Sequence, residues 1–171
     1  MKCVCLVVSV FVGIHAFGQS VGELDKKNGF KEYTIGSNLS SIGENLQFIK
    51  RLEGKETKLF KAKESAIIDG MVGEVELAFY KERLVEITIF FQQKSLEDYD
   101  HLKTSLTQLY GSPVDESGSK NKPAYLSEYD RILMWKGSVI GLQYNYDVSH
   151  KVIEIVYWGL NEATEKAKED F

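Results

Sequence analysis

The chain predicts an α+β domain: a single antiparallel sheet with two helices packed on one face, arranged as a tandem helix-plus-hairpin repeat. Three observations carry this. VELAFYKERLVEITIFF (75–91) and IGLQYNYDVSHKVIEIVYW (140–158) share one pattern, two alternating apolar runs around a short polar break, which is how a half-buried hairpin reads. SLEDYDHLKTSLTQLYG (95–111) places Tyr99, Leu102, Leu106 and Leu109 on one helical stripe. Earlier, SNLSSIGENLQFIKRL sets Leu39, Ile42, Leu46 and Ile49 at helical spacing. Each half then supplies one helix and one apolar sheet face, and neither half buries that face alone.

Taken in order, the N-terminus comes first. Lys2 is the only charge before the apolar run CVCLVVSVFVGIHAF. That run is shorter than the ~20 residues a membrane-spanning helix needs. Ala16 and Gly18 put small side chains where signal peptidase selects them, so residues 1–18 read as a secretory signal cut between Gly18 and Gln19. An uncleaved anchor is the alternative. Cys3 and Cys5 both fall in the signal, at the beginning of the apolar run and not at its end, which argues against a lipoprotein. The remaining 153 residues, enough for one domain, contain no cysteine and have no thiol or disulfide chemistry.

Residues 19–29 are polar and read as a flexible leader, with a single domain over 30–160 and a polar tail over 161–171. FKEYTIG (30–36) reads as a first strand. The first helix follows, with Asn38 as its cap or Ser41 and Glu44 as a capping box, weakened by Gly43. TKLFKAKE (57–64) is a strand at or near an edge, and SAIIDGMVG leads into the first hairpin. A three-residue loop, Lys81-Glu82-Arg83, sets Phe79 opposite Val85, Leu77 opposite Ile87 and Val75 opposite Ile89. In the second helix Ser95 with Asp98 forms a capping box, Gly111 is the stop and Pro113 prevents continuation. SPVDESGSKNKPA is a polar loop, with strands around 125–129 and 131–135 after it. The second hairpin turns through Val148-Ser149-His150-Lys151, setting Tyr146 opposite Ile153, Tyr144 opposite Ile155 and Trp158 over the bare backbone of Gly141.

These elements resemble the fold of the exported β-lactamase inhibitor proteins and that of the SmpA/OmlA-type small outer-membrane assembly lipoproteins. The matching stretches are Ile35-Gly36-Ser37 before the first helix, Leu109-Tyr110-Gly111-Ser112-Pro113 closing the second, and Trp135-Lys136-Gly137 in the last sheet segment. The processed chain departs from the first by lacking disulfides and from the second by lacking a lipidated N-terminal cysteine. The resemblance implies a non-catalytic binding or assembly module.

The charge pattern narrows the function classes. The chain carries 21 Lys+Arg against 25 Asp+Glu; the signal removes only Lys2, leaving a net charge of −5. No Lys/Arg-rich tract marks a nucleic-acid or anionic-membrane binder, so nucleic acid is excluded as a partner, and no integral membrane span is expected. No G-x-S-x-G or H-E-x-x-H occurs. His101 lies one turn beyond Asp98 on the second helix, and two ligands do not make a metal site. His150 reads as a turn residue. No cofactor or metal is expected.

Glu74, Glu76, Glu86 and Glu154 fall on the sheet face away from the helices. With them come Tyr80, Leu84, Phe90, Val152, Val156 and Trp158. Large apolar side chains on a face without helices fit a partner surface with Tyr80, Phe90 and Trp158 as anchors; cross-strand stacking, or the tail after Trp158 folding over them, is the simpler account. The expectation is an exported binding module of the cell envelope, periplasmic or extracellular, that recognises a protein or peptide. The competing expectation is an envelope hydrolase using the carboxylates in pairs.

Overall fold

A computed structural model describes residues 20–52, 56–119 and 126–161. The signal with its cleavage point, Tyr125 and the tail from 162 onward lie outside the described residues.

The structure is α+β and antiparallel, as expected, but it is not one sheet under two helices. Among the described residues it has a nine-stranded sheet, a separate two-stranded ribbon and three α-helices. The elements are α1 (Val21–Lys27), the ribbon β1 (Gly29–Phe30) and β2 (Tyr33–Thr34), α2 (Leu39–Ile42), β3 (Leu46–Arg51), β4 (Thr57–Ala62), β5 (Ala66–Ile68), β6 (Met71–Tyr80), β7 (Arg83–Phe91), α3 (Leu96–Tyr110), β8 (Val114–Asp115), β9 (Arg131–Lys136), β10 (Ile140–Asp147) and β11 (Val152–Gly159). Across the large sheet the order is β3-β4-β6-β7-β11-β10-β9-β8, with β5 paired to β6.

The two hairpins form the centre. β10 and β11 pair in the expected register: Tyr146 with Ile153, Tyr144 with Ile155, Gly141 with Trp158. β7 and β11 join the hairpins, with Ile89 opposite Ile155 and Ile87 opposite Tyr157. Alternation puts Leu77, Ile87, Ile89, Tyr144, Ile153 and Ile155 on one face, all fully buried in a single core. α3 lies on this face. Ser95 and Asp98 exchange the reciprocal capping-box hydrogen bonds, and Gly111 closes the helix at φ 84°. Its buried stripe is Tyr99, Leu102, Leu106 and Tyr110, with Leu109 only partly buried. Tyr99 stacks on Tyr144 at 4.6 Å between centroids, and its carbonyl accepts the Tyr144 hydroxyl at 2.9 Å.

Four expectations need correction. The helix expected from residue 38 stops after one turn at Ile42, and Leu46–Arg51 is the edge strand β3. Gly43 costs the helix ~1 kcal/mol, and pairing with β4 buries Leu46 and stacks Phe48 edge-on against Phe60. β4 is therefore next to the edge, between β3 and β6, which agrees with a strand at or near an edge. With the first helix gone, the tandem repeat is not realised. The first strand is instead the small ribbon β1–β2. Residues 126–129 form turns, not a strand.

The first hairpin also differs at its tip. Its loop is the two-residue turn Lys81-Glu82, with φ 46° and 67°, so Tyr80 faces Arg83 and Phe79 faces Leu84. Two left-handed residues match the twist of the strands. The extra residue is absorbed as a bulge at Val85. Leu84, expected on the outer face, is in the core. Val85, expected in the core, packs on the other face with Ala78.

The leader is not loose. Residues 21–27 are α1, whose Leu24 is fully buried. Asp25 pins it to the β9–β10 turn: its carboxylate accepts the backbone N–H of Ser138 (2.8 Å), Val139 (2.9 Å) and Ile140 (3.3 Å) and the Ser138 hydroxyl (2.7 Å). These donors hold the Asp25 pKa down at about 2, from an ordinary 3.8. A depressed carboxyl stabilises the fold above its unfolded pKa and loses that contribution as pH falls through its folded value. Asp25→Ala is thus expected to abolish hydrogen-exchange protection of 21–27 at neutral pH, and the difference from wild type is expected to shrink between pH 3.8 and about 2. Unchanged protection in the variant at pH 7 would show that Leu24 alone holds the helix.

Candidate functional site: the outer face of the sheet

The three helices all pack on the one large core. Side chains on the opposite face lie outside that core and no described helix covers them, yet Ile132, Asn145, Gln143, Glu154 and Trp158 are buried there, with Tyr129 of the turn before β9 bonded to Glu154; the exposed part of the face is its β5–β6 end. Pairing arranges this face in rows. Glu74, Phe90, Glu154, Asn145 and Ile132 form one; Lys61, Glu76, Thr88, Val156, Gln143 and Met134 the next; Leu59, Ala78, Glu86, Trp158, Gly141 and Lys136 the third. The alternation that buries Val75 and Ile89 on one side thus collects carboxylates and apolar side chains on the other.

The predicted residues fare differently within these rows. Tyr80 is half-buried against Ala78 and Val85, with the Lys81 ammonium 5.4 Å from its ring centroid. Phe90, Val152 and Val156 are half-buried. Trp158 is 8% exposed: its ring lies flat on Gly141, where a Cβ would come within 2.2 Å of it. Its surface is spent inside the sheet, so it offers little to a partner. Glu74 is exposed and pairs with Lys61 at 2.7 Å; Glu76 and Glu86 are half-buried. Glu86 and Glu154 sit two rows apart, about 13 Å along the strands, beyond the ~6.5–9.5 Å that paired carboxyls use in glycoside hydrolysis. Phe90 stands between Glu74 and Glu154.

Glu154 is the unusual member. It is buried, accepts Asn145 Nδ2 at 2.7 Å and is hydrogen-bonded by the Tyr129 side chain. Desolvation raises its pKa, the two hydrogen bonds oppose the rise, and Glu128 and Glu76 add like charge. The other amide atom of Asn145, Oδ1, is buried without a hydrogen-bond partner. Such an orphan costs ~1–3 kcal/mol.

Two apolar residues of this face escaped the sequence reading. Ile67 on β5 faces Val72 on β6, and they are 66% and 61% exposed. Val72 continues the outward alternation of Glu74 and Glu76. The turn between them, Asp69-Gly70 with both φ positive, is the strongest short hairpin signal a sequence carries, so the strand pair was legible from Asp69-Gly70 flanked by Ile67-Ile68 and Met71-Val72. Tyr129 and Asn145 were missed for another reason. Their meeting at Glu154 joins three separate segments.

The histidines lie elsewhere. Asp98 gives its carboxylate to the Ser95 N–H and hydroxyl, and His101 is exposed beside it. His150 closes the β10–β11 loop on Asp147, whose carboxylate also accepts the Ser149 hydroxyl and the His150 N–H; the pairing raises the His150 pKa. Among the described residues no group of three or more His, Cys, Asp or Glu is placed to hold a metal ion. No helix of the described residues is long and apolar enough to cross a membrane. No protein-family model, no curated protein and no solved structure matches the chain.

Proposed function

We propose that the chain is an exported, non-catalytic recognition module of the cell envelope, which takes a protein or peptide on the outer face of its sheet, at the exposed β5–β6 end. The observation that carries the reading is the Ile67–Val72 pair. Two large aliphatic side chains stand more than half exposed on a face that no described helix covers, next to half-buried Phe90 and Val152. Apolar patches with a polar rim mark association surfaces. The signal-like segment 1–18 supports a location outside the cytoplasm. The resemblance to exported inhibitors and assembly lipoproteins points the same way. A hydrolase reading draws on one observation, the raised pKa of Glu154, and the spacing of Glu86 from Glu154 works against a carboxylate pair.

Site-specific photocrosslinking in the native host tests the reading. A crosslinker at position 72 is expected to give a discrete protein adduct in the envelope fraction, and one at His101, exposed on α3, is not. Equal adducts at both positions, or none at position 72, would remove the recognition surface.

A further inference from the structure

We infer that Glu154 keeps its proton in the folded chain and donates it in a hydrogen bond to Asn145 Oδ1, making a carboxylic acid–carboxamide clasp that holds the 126–129 turn on the outer face and loosens when the carboxyl ionises. The clasp stands whether or not the β5–β6 end takes a partner.

Asn145 and Glu154 are direct cross-strand partners on β10 and β11, both buried. Phe90 on β7 and fully buried Ile132 on β9 close the two ends of their row. Asn145 Nδ2 donates to Glu154 Oε2 at 2.7 Å, while Oδ1 of the same amide is buried with no hydrogen-bond partner among the described residues. A carboxylate has only acceptors and cannot answer that oxygen; a carboxylic acid has one O–H to give. The last torsion of a glutamate is soft, so its second oxygen can turn to Oδ1 while the first keeps Nδ2. Two hydrogen bonds then run in opposite directions between the same two groups. The proton removes two costs together, the orphan acceptor and the buried charge.

The same carboxyl is bonded from the turn by the Tyr129 side chain. Leu126 of that turn is buried, and the Tyr129 N–H donates to its carbonyl at 3.2 Å. Asp130 ties the turn to β10: its N–H donates to the Tyr146 carbonyl at 2.9 Å, and its carboxylate accepts the Val148 N–H at 2.8 Å. Phe90 and Ile132 wall the row, so an ionised Glu154 regains water by lifting Tyr129 and the turn. The titratable groups around the pair are Glu128 and Asp130 of the turn, Asp147 with His150 at the β10–β11 loop, and, beyond β7, Glu76 with its cross-strand neighbour Lys61. Burial lifts the Glu154 carboxyl above its ordinary 4.5, and Glu128 and Glu76 add to the rise. A carboxyl raised in this way gives stability that is complete below its unfolded pKa and is lost as pH rises through its folded one. The turn is therefore sealed in acid and loosens toward higher pH.

Two measurements test the clasp. Carboxyl carbon NMR of the isotope-labelled chain is expected to show Glu154 titrating above 4.5; titration at or below 4.5 would overturn the inference. The second measurement compares wild type with Glu154→Gln, whose amide offers the donor and the acceptor that the acid offers. Asp147 and His150 are the same in both proteins, so their titration cancels in the difference. The melting temperature of wild type is expected to fall relative to the variant as pH rises from 4.5. Exchange of the Tyr129 and Asp130 amides, corrected for the intrinsic pH dependence of exchange, should quicken in wild type alone. A carboxylate that serves the fold in its ionised form gives the opposite sign, with wild type gaining on the variant. That result overturns the clasp, as do turn amides that behave alike in both proteins. Glu154→Ala removes donor and acceptor together and is expected to melt below the Gln variant at every pH; equal melting would show that Asn145 gains nothing from its partner and would overturn the clasp as well. If the Gln variant does not fold, the wild-type titration decides.

Discussion

Ile155→Ala and Ile87→Ala are each expected to lower the unfolding free energy by about 2–5 kcal/mol. Both side chains are fully buried, on the neighbouring strands β11 and β7 that join the two hairpins. Cutting either removes buried methyl and methylene groups and leaves a cavity, because the sheet on one side and the packed rings on the other relax only in part. Ile155 lies directly opposite Ile89, and Ile87 opposite Tyr157, so the two sites share neighbours across one strand pair. The double variant is therefore expected to depart from the sum of the singles, whereas distant sites add. Chemical denaturation measures all three. A loss below about 1 kcal/mol at both sites, the range of ordinary surface substitutions, would show that this face is not the core.

The second large effect is expected at Gly141. A Cβ there would lie 2.2 Å from Cζ2 and 2.4 Å from Cε2 of Trp158, and the indole is too large and too buried to step aside freely. Gly141→Ala is expected to cost about 1–3 kcal/mol, as overpacking does, and to lift the ring from the sheet. The sequence has two tryptophans. The other, Trp135, is buried and donates its indole N–H to the Gly111 carbonyl at 2.7 Å, so it serves as a fixed reference. Emission is expected to shift to the red as Trp158 meets water. In a Trp158→Ala background the same glycine substitution is expected to cost close to nothing, since the atoms it would strike are gone. An equal cost in both backgrounds would place the penalty in the backbone of β10 and not in the ring.

What was legible in the sequence is local. The Ser95–Asp98 capping box and the stop at Gly111 involve neighbours in the chain, and α3 forms where they say. The β10–β11 register was legible because each one-residue slip would turn Tyr144, Tyr146 and Ile155 out of the core. The β6–β7 register held at Val75 and Leu77 for the same reason. It broke at the tip, where turn geometry and not apolar pattern decides, and the bulge at Val85 exchanged the faces of Leu84 and Val85. On the candidate site, alternation alone assigned Glu74, Glu76, Glu86, Phe90 and Glu154 to one face. It did not say that Trp158 spends its surface on Gly141, because exposure depends on what lies across the strand.

By itself, then, the sequence determined the antiparallel α+β character, the long helix, the β10–β11 hairpin and the membership of the two sheet faces away from the bulge at Val85, all of which follow from periods of two and 3.6 and from caps a few residues long. Only the tertiary structure decided the rest. Leu46–Arg51, helical by spacing, became a strand because β4 offered it a partner. A polar heptapeptide became α1 because Asp25 found three backbone N–H groups more than 110 residues away. Glu154, one glutamate among several in the sequence, became the buried one because Asn145 and Tyr129 reach it from β10 and from the turn before β9. Each of these outcomes depends on contacts between distant segments, whose energy no local window contains, and they override propensities worth only tenths of a kcal/mol to ~1 kcal/mol per residue.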